Sequence, residues 1–178
     1  LLVGSFFTAP TQAQIPHIEV SADQPRIDLL PRTEWLEREQ DSVDLEQILR
    51  ASNSTFSQSD DATRRFRGGH DAWLRFAVTI PSQDTRAVTL RFGQPHYFPT
   101  LNVWIVDEAG QRRSFSLGML EPPANRPVWH RHPVIHLDLQ PGATHTVVAQ
   151  YSAGLTFRVI PELWSRARFE QADGAASG

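Results

Sequence analysis

The chain has 178 residues, of which 40% are hydrophobic and 21% are charged, with a net charge of −3 at pH 7. This length suits one domain with its own hydrophobic core, and the charge gives no basic surface for nucleic acid. Because the sequence contains no cysteine, it excludes a disulfide framework, a thiol nucleophile and a cysteine zinc site.

The first fourteen residues are typical of the end of a secretory signal. Residues 1–7 are mostly apolar, and the small residues that follow lead to a cleavage pattern after Ala13. The apolar run is too short to span a bilayer, and an irregular or amphipathic N-terminal arm is the alternative interpretation. We interpret residues 1–14 as a signal-peptide remnant, which predicts export of the remaining chain.

A short helix is predicted near the start of the exported part. Ser42 is a suitable N-cap, and the apolar residues at 43, 45, 48 and 49 fall on one side of the helix that follows it. The polar stretch at 53–67 predicts a loop.

From residue 72 onward, apolar residues alternate with polar ones, as they do in half-buried strands. Strands are predicted at residues 72–80, 87–92, 101–105, 135–139, 146–151 and 155–160. In the first of these, Leu74, Phe76, Val78 and Ile80 are expected to face the core. Short strands punctuated by Pro and Gly predict an all-β fold, an antiparallel β-sandwich or jelly roll with a short N-terminal helix.

The order of several short motifs resembles one protein family, the second type of 7TM-DISM extracellular domain, over about residues 17–169. The motifs are Trp35-Leu36-Glu37, Ala72-Trp73-Leu74-Arg75-Phe76, Val88-Thr89-Leu90-Arg91-Phe92-Gly93-Gln94-Pro95, Leu101-Asn102-Val103-Trp104-Ile105, His130-Arg131, Leu137-Asp138-Leu139-Gln140-Pro141-Gly142 and Pro161-Glu162-Leu163-Trp164. The family is found in bacterial receptors with seven transmembrane helices and diverse intracellular signalling modules. The resemblance implies a periplasmic jelly roll similar to carbohydrate-binding modules, placed before a membrane bundle and a kinase or cyclic-di-GMP output domain.

The resemblance also predicts the organisation of the chain. Residues 15–169 are expected to form the sensor domain, as the periplasmic part of an inner-membrane protein. Residues 170–178 are small and polar, so we expect them to form a linker toward a membrane segment. Within the domain, Trp35 and Trp164 are assigned to the fold.

Strand parity places a candidate ligand platform opposite the core. Trp73 and Arg75 alternate with the core residues of their strand, and Arg158 and His136 have the corresponding parity in theirs. An aromatic ring beside guanidinium groups on an open sheet face suits a sugar or a carboxylate. The alternative is structural: Trp73 packs under the N-terminal segment, and Arg75 pairs with an acidic neighbour that holds this segment down.

Two loops supply further candidates. Trp129 lies beside cations, including Arg131, in a loop-like segment, and another loop carries His96 and Tyr97. Each aromatic residue is either a binding residue or a plug that closes an end of the sandwich. Trp129 and Arg131 join the predicted ligand site, whereas Tyr97 is interpreted as a plug.

The sequence gives little support for metal binding or catalysis. His130, His132, His136 and Asp138 share strand parity, but Pro133 interrupts the strand, and residues four apart lie about 13 Å from each other along a strand. A nucleophile elbow, a phosphate-binding loop and a zinc-protease motif are all absent from the sequence. We expect no cofactor, no metal and no enzymatic activity in this domain.

Together these observations predict a ligand-binding sensor domain of a bacterial membrane receptor, of the histidine kinase or diguanylate cyclase type. The expected ligand is a carbohydrate or a small carboxylate. The expected partners are the receptor's own transmembrane bundle and a second receptor chain, in a homodimer or heterodimer. Two alternatives stay open: a protein-contact or dimerisation module of the receptor, and a secreted carbohydrate-binding module or carbohydrate-active enzyme.

Overall fold

The computed structural model describes residues 15–20, 24–58, 64–81, 87–93 and 99–176. These residues form two packed β-sheets, a two-stranded ribbon and two α-helices. The predicted signal remnant and the candidates His96 and Tyr97 lie outside the described residues.

Twelve strands and two helices make up the described part of the chain. The strands are β1 (His17–Glu19), β2 (Arg26–Asp28), β3 (Glu34–Glu39), β4 (Arg65–Phe66), β5 (His70–Thr79), β6 (Ala87–Phe92), β7 (Thr100–Val106), β8 (Arg112–Ser116), β9 (Val134–Asp138), β10 (Thr144–Ala153), β11 (Phe157–Arg158) and β12 (Pro161–Ser165). The helices are α1 (Leu45–Arg50) and α2 (Arg166–Ala176).

The first sheet is built around β5 and has the order β1-β5-β10-β7-β8, with β3 also paired to β5. β3 runs antiparallel to the first part of β5, whereas β1 runs parallel to its last residues. The second sheet has the order β2-β12-β6-β9 and is antiparallel throughout. β4 and β11 form the separate ribbon.

Alternating apolar side chains of both sheets form the core between them. Leu74, Phe76, Val78 and Ile80 are buried there, as the alternation in β5 predicts. Burial of apolar surface of this kind is the main favourable contribution to folding. The predicted all-β sandwich with a short N-terminal helix is confirmed, whereas the jelly-roll connectivity stays a prediction.

Several strands have too little apolar alternation to be detected in the sequence. β1 and β2 have three residues each, and four of the five residues of β8 are exposed. One strand is shorter than the sequence predicts, because only the two residues of β11 form a strand in the predicted range 155–160. Its hydrogen bonds are made within the ribbon and not within either sheet.

α1 is capped by Asp44 and not by Ser42. The Asp44 carboxylate accepts the backbone N–H of Gln47, and the Gln47 side chain accepts the backbone N–H of Asp44, both at 2.8 Å. This reciprocal pair is a capping box. Ser42 donates instead to the carbonyl of Glu39. The predicted N-cap is therefore wrong by two residues, and the residue directly before the first helical residue caps the helix.

The strand connections define two ends of the sandwich. β10 runs antiparallel to β5 and β7, so the end of β10 lies beside the starts of both. We call this the loop end, because the described loops at 67–69, 117–133 and 154–160 meet there. The opposite end carries the turn at 107–111 and the connection at 139–143, and we call it the hairpin end.

α2 includes residues for which the sequence predicts a linker. It begins at Arg166, whose guanidinium lies 3.3 Å from Asp138 at the hairpin end, and it packs on β12 and β6. Further along, Asp173 reaches His130 in the long loop of the loop end. The helix therefore runs along the outer face of the second sheet, and residues 170–176 are part of the folded domain.

Candidate functional site

The outer face of the first sheet is closed. α1 and the segment after it cover Trp73, whose indole stacks on Trp104 with the ring centroids 5.8 Å apart. The buried apolar residues around Trp73 are Leu36, Ile48, Phe56 and Val148. Because Trp73 is only 1% exposed, the prediction that it lies on an open ligand face is wrong.

Arg75 lies in the same closed layer and uses all of its donors. Its Nε and Nη2 donate to Oε2 of Glu34 at 3.1 and 2.8 Å. Nη2 also donates to the Asn53 side chain at 3.1 Å, and Nη1 donates to the carbonyls of Ile48 and Ala51, both at 2.9 Å. A guanidinium has five N–H groups, so none is left for a ligand. The prediction of an open Arg75 is also wrong, and the structural alternative describes it instead.

The other two members of the predicted platform lie elsewhere. His136 is on β9 in the second sheet, where its Nδ1 is 2.9 Å from the hydroxyl of Thr89. Arg158 is exposed on the ribbon, directly opposite Arg65. The platform therefore does not assemble, because strand parity identifies the face of a strand but not the sheet that the strand joins.

A buried carboxylate between two arginines lies on the outer face of the second sheet. Glu162 is fully buried, and its oxygens lie 2.6 Å from Arg26 and 2.5 Å from Arg91. Trp164 donates its indole N–H to the same carboxylate at 3.0 Å. The two guanidinium carbons lie 5.3 and 5.9 Å from the centre of the Trp164 ring, within cation–π range. This arrangement fixes Trp164 against the sheet.

A pocket of about 210 Å³ lies between this face and α2. The sheet contributes Arg91 and Trp164, the long loop contributes His130, Arg131 and His132, and α2 contributes Phe169, Ala172 and Asp173. Phe169 is the aromatic centre of the pocket. Its ring centroid lies 5.3 Å from that of His130, 6.0 Å from that of Trp164 and 6.1 Å from that of His136.

One carboxylate of the chain already binds to the cationic side of this pocket. Nε2 of His130 donates to Oδ1 of Asp173 at 2.9 Å, and Arg131 lies 3.9 Å from the same oxygen. The backbone N–H of His132 donates to Nδ1 of His130 at 2.9 Å, so the imidazole proton is on Nε2, facing the carboxylate. The hydrogen bond from His130 lowers the pKa of Asp173, and the charge of Arg131 acts in the same direction.

The charged form of the two other imidazoles near the pocket is disfavoured. Burial lowers the pKa of His132 and of His136. The positive charges of Arg91, for His132, and of Arg166, for His136, act in the same direction. The fixed positive charge that lines the pocket therefore comes from Arg91 and Arg131.

Of the predicted site residues, Arg131 alone is among the described residues that line this pocket. His136 contacts Phe169, and Trp129 directly precedes His130 in the chain. The indole of Trp129 is 83% exposed. Whether Trp129 and Arg131 bind a ligand stays a prediction.

Sequence reasoning missed the contribution of α2. Phe169 and Asp173 come from a segment that is small and polar enough to be interpreted as a linker. Their spacing of four residues places both on one side of a helix, and this is the signal that would have found them. Arg91 is present in the family motif without an assigned role, and Trp164 serves the pocket as well as the fold.

The histidines do not assemble into a metal site. Within the described ranges, no group of three His, Cys, Asp or Glu side chains is placed to hold a metal ion. His130 and His132 lie side by side with ring centroids 5.4 Å apart, but Nδ1 and Nε2 of His130 already contact a backbone N–H and Asp173.

A second cavity, of about 390 Å³, lies at the hairpin end. Its charged and imidazole lining residues are Asp107, Glu108, Arg112, Arg113, Asp138 and His145. Among the described residues that line it there is no Phe, Tyr or Trp, and it contains no residue of the predicted ligand site. The pocket beneath α2 is therefore the stronger candidate.

The chain is a β-sandwich with a small pocket of arginine, histidine and aromatic side chains between a sheet and a helix. The family described as 7TMR-DISM extracellular 2 matches residues 30–165. The resemblance is confirmed, and the chain belongs to this family. It is an extracytoplasmic sensor domain and not a catalytic one, and the family implies a membrane receptor with a transmembrane bundle.

Among solved structures, the chain is similar to the carbohydrate-binding module TmCBM61 in complex with β-1,4-galactotriose. The identity is 13% and the TM-score 0.40, and the match covers 74% of this chain and 88% of that one. It is also similar to the β-glucuronidase of Faecalibacterium prausnitzii (19% identity, TM-score 0.37, 75% of this chain and 22% of that one). A third similar structure is the Ruminococcus gnavus β-glucuronidase in complex with uronic isofagomine (13% identity, TM-score 0.36, 85% of this chain and 30% of that one).

This chain therefore spans less than a third of either β-glucuronidase. No curated protein matches the chain. In the part that the structure describes, no helix is both long and apolar enough to cross a bilayer.

Proposed function

We propose that this domain is the ligand-binding sensor of a bacterial membrane receptor, and that it binds a small carboxylate, or a sugar that carries one, in the pocket beneath α2. The proposal places the domain in the periplasm, with a kinase or cyclic-di-GMP enzyme as the output of the receptor. The observation that carries it is the carboxylate of Asp173, which His130 and Arg131 already bind.

The pocket offers a carboxylate the donors that it prefers. Nε2–H of His130 is aimed at the carboxylate position, and the planar guanidinium of Arg131 suits a carboxylate with its two oxygens. Arg131 is 59% exposed and lies 3.9 Å from Asp173. A partly exposed ion pair of this length contributes little to stability, so a carboxylate from outside can replace that of Asp173.

Aromatic side chains make room for the rest of the ligand. Trp164 and Phe169 line the pocket. The apolar face of a sugar ring packs well on an aromatic ring. At about 210 Å³ the pocket is small for a ligand site, so it suits a small organic acid or the acidic part of a sugar.

Ligand binding at this position acts on α2. When an external carboxylate replaces that of Asp173, the C-terminal part of the helix loses its polar contact with the long loop, whereas Arg166 keeps its contact with Asp138 at the other end. The helix then shifts relative to the second sheet. Such a shift becomes a signal because the ligand binds the displaced arrangement more tightly than the closed one.

A binding experiment with variants of opposite effect tests this function. Small carboxylates and uronic acids, with the neutral parent sugars for comparison, are titrated into the chain by calorimetry. We expect the acids to bind and the neutral sugars not to bind. Arg131→Gln weakens binding about tenfold because a charge-assisted contact is lost, whereas Asp173→Ala strengthens it because the internal competitor is gone.

Glu170→Gln is the matched control, because Glu170 is exposed on the same helix and does not line the pocket. It should bind the acids as the wild type does. Absence of binding by any acid, or weaker binding to Asp173→Ala, contradicts the proposal. Concentration-dependent self-association in place of binding favours the protein-contact module instead.

A further inference from the structure

All large apolar side chains that are exposed in the described part of the chain lie at the loop end. They are Met119, Leu120, Trp129, Leu155 and Ile160, and their exposed fractions range from 44% for Ile160 to 83% for Trp129. Single exposed apolar residues are common on any protein surface. Their confinement to the loops at one end indicates a contact surface.

Three loops of the loop end are rich in arginine. The described residues at 64–69, 117–133 and 154–160 include Arg64, Arg65, Arg67, Arg126, Arg131 and Arg158, whereas Glu121 is their single acidic residue. At the hairpin end, by contrast, the turn at 107–111 carries Asp107 and Glu108 and no basic residue.

Acidic residues of β3 and of the turn after it, Glu37, Glu39 and Asp41, also lie at this end, because Glu39 pairs with His70 and Gln40 donates to the carbonyl of Gly69. Glu37 pairs with Arg64 and Arg67. Of the six arginines, Arg65, Arg126 and Arg158 take part in no salt bridge among the described residues.

Arg65 and Arg158 are the most informative of these cations. They lie directly opposite each other in the ribbon, both exposed, and neither takes part in a salt bridge among the described residues. Their neighbours Phe66 and Phe157 stack in the core with centroids 5.6 Å apart, which directs both arginines outward. Like charges directly opposite destabilise a strand pair, and an anion bound between them relieves this repulsion.

α2 leads to the same end of the molecule. Asp173 contacts His130 in the long loop, and the helix ends at Ala176. The family implies a receptor with a transmembrane bundle. In such a receptor, the polypeptide that connects α2 to the bundle leaves from the loop end.

We propose that the loop end rests on the lipid bilayer, with Arg65 and Arg158 at anionic headgroups and Trp129 and Leu155 in the interfacial layer. Tryptophan is enriched at this depth, and surface-bound segments combine apolar burial with attraction of cations to anionic lipid. A second copy of the chain fits this surface less well, because a symmetric contact through the ribbon places Arg65 and Arg158 of one copy against the same arginines of the other.

Fluorescence quenching on vesicles tests this contact. The chain is held by a C-terminal hexahistidine tag on vesicles of brominated phosphatidylcholine and a nickel-chelating lipid, with or without phosphatidylglycerol. Bromine quenches an indole only at short range. We expect quenching on the vesicles with phosphatidylglycerol, and we expect Trp129→Phe to remove most of it, because the other indoles are buried or half-buried in the fold.

Two matched pairs of substitutions separate a specific contact from general attraction. Arg65→Gln with Arg158→Gln lowers quenching to the level measured without phosphatidylglycerol. Arg112→Gln with Arg113→Gln removes the same charge from exposed positions on β8, away from the loop end, and leaves quenching unchanged. The melting temperature of each variant confirms that the fold is intact.

Equal fluorescence on brominated and unbrominated vesicles overturns the proposal, and so does quenching that is insensitive to the Arg65 and Arg158 substitutions. The mass of the chain is also measured in solution without lipid. A dimer that Trp129→Ser converts to a monomer assigns this surface to a second copy and not to the bilayer. Calorimetry with acids in solution does not depend on lipid, so failure here is distinct from failure of the ligand pocket.

Discussion

The outer faces of the two sheets carry similar side chains but differ in how completely these are paired. Under α1, all five N–H groups of Arg75 are taken by protein acceptors, and Glu34 beside it is only 1% exposed. Under α2, Arg131 is 59% exposed and lies 3.9 Å from a carboxylate that is itself 35% exposed. Both faces are covered by a helix, so cover alone does not decide whether a face can bind a ligand.

The way in which each helix is attached explains the difference. α1 is fastened by a buried apolar cluster and by hydrogen bonds from Arg75 to the carbonyls of Ile48 and Ala51. α2 buries one large apolar side chain, Phe169, and its contact with the loop end is the ion pair of Asp173. Elements with few buried contacts open at low free energy. The second face is therefore the one where a ligand can change the structure.

The largest expected loss of unfolding free energy comes from a substitution on the outer face of the first sheet, which α1 covers. Arg75→Met leaves the Glu34 carboxylate buried without its partner, which costs about 3 to 5 kcal/mol of unfolding free energy. Urea unfolding followed by circular dichroism measures it. Arg113→Met, at an exposed position, is the control and should change little. A second change, Glu34→Leu in the Arg75→Met chain, should recover part of the lost unfolding free energy. If Arg75→Met alone lowered the unfolding free energy by less than about 1 kcal/mol, the outer face of the first sheet would be solvated.

A smaller loss of unfolding free energy is expected when the carboxylate of Glu162, on the second sheet, is replaced. Glu162→Gln removes the charge that pairs with Arg26 and Arg91, whose side chains are 50% and 26% exposed. Because water can solvate both guanidinium groups, we expect a loss of about 1 to 3 kcal/mol in the same urea experiment. A loss equal to that of Arg75→Met would remove the energetic distinction between the two faces.

Asp173→Ala should act locally. The global unfolding free energy falls by less than about 1 kcal/mol, because the ion pair is partly exposed. Hydrogen exchange of the backbone amides in the second half of α2 becomes faster, whereas the amides of α1 keep their rates. Unchanged exchange in α2 would mean that Asp173 does not hold the helix at the loop end.

The smallest effect is a dependence on pH. Burial lowers the pKa of His132, His136 and His145, so below the ordinary histidine pKa of about 6.5 the unfolded chain binds more protons than the folded one. Stability therefore falls on acidification, and we expect a melting temperature lower by a few degrees at about pH 5.5 than at about pH 7.5. His136→Gln should reduce this difference, and a rise in stability on acidification would contradict the assignment.

The sequence predicts the strands that bury one face. In β5, the alternation of Leu74, Phe76 and Val78 identifies the core side correctly, because each of these side chains faces the second sheet and is buried. Strands without such a pattern stay hidden: β8 exposes both Arg112 and Arg113 and has no alternation to read. Alternation of apolar and polar residues indicates which strands bury one face. It does not reveal strands that are held mainly by backbone hydrogen bonds.

The site is less predictable because its parts are distant in the chain. Arg75 and Glu34 are 41 positions apart, so nothing local shows that the guanidinium is already paired. Arg131 is visible as a cation beside Trp129, but its carboxylate partner Asp173 comes from a helix that weak apolar content conceals. Strand parity and loop composition identify candidates, and only the packing of the helices decides which candidates are open.

β8 lies at the border of the first sheet, where a strand has backbone groups free to pair with another chain. Its two adjacent arginines, Arg112 and Arg113, would have to lose water if a foreign strand joined this border. The opposite border is divided between β1 and β3, which run in different directions along β5. Neither border of the first sheet therefore offers a long uncharged template to a foreign strand.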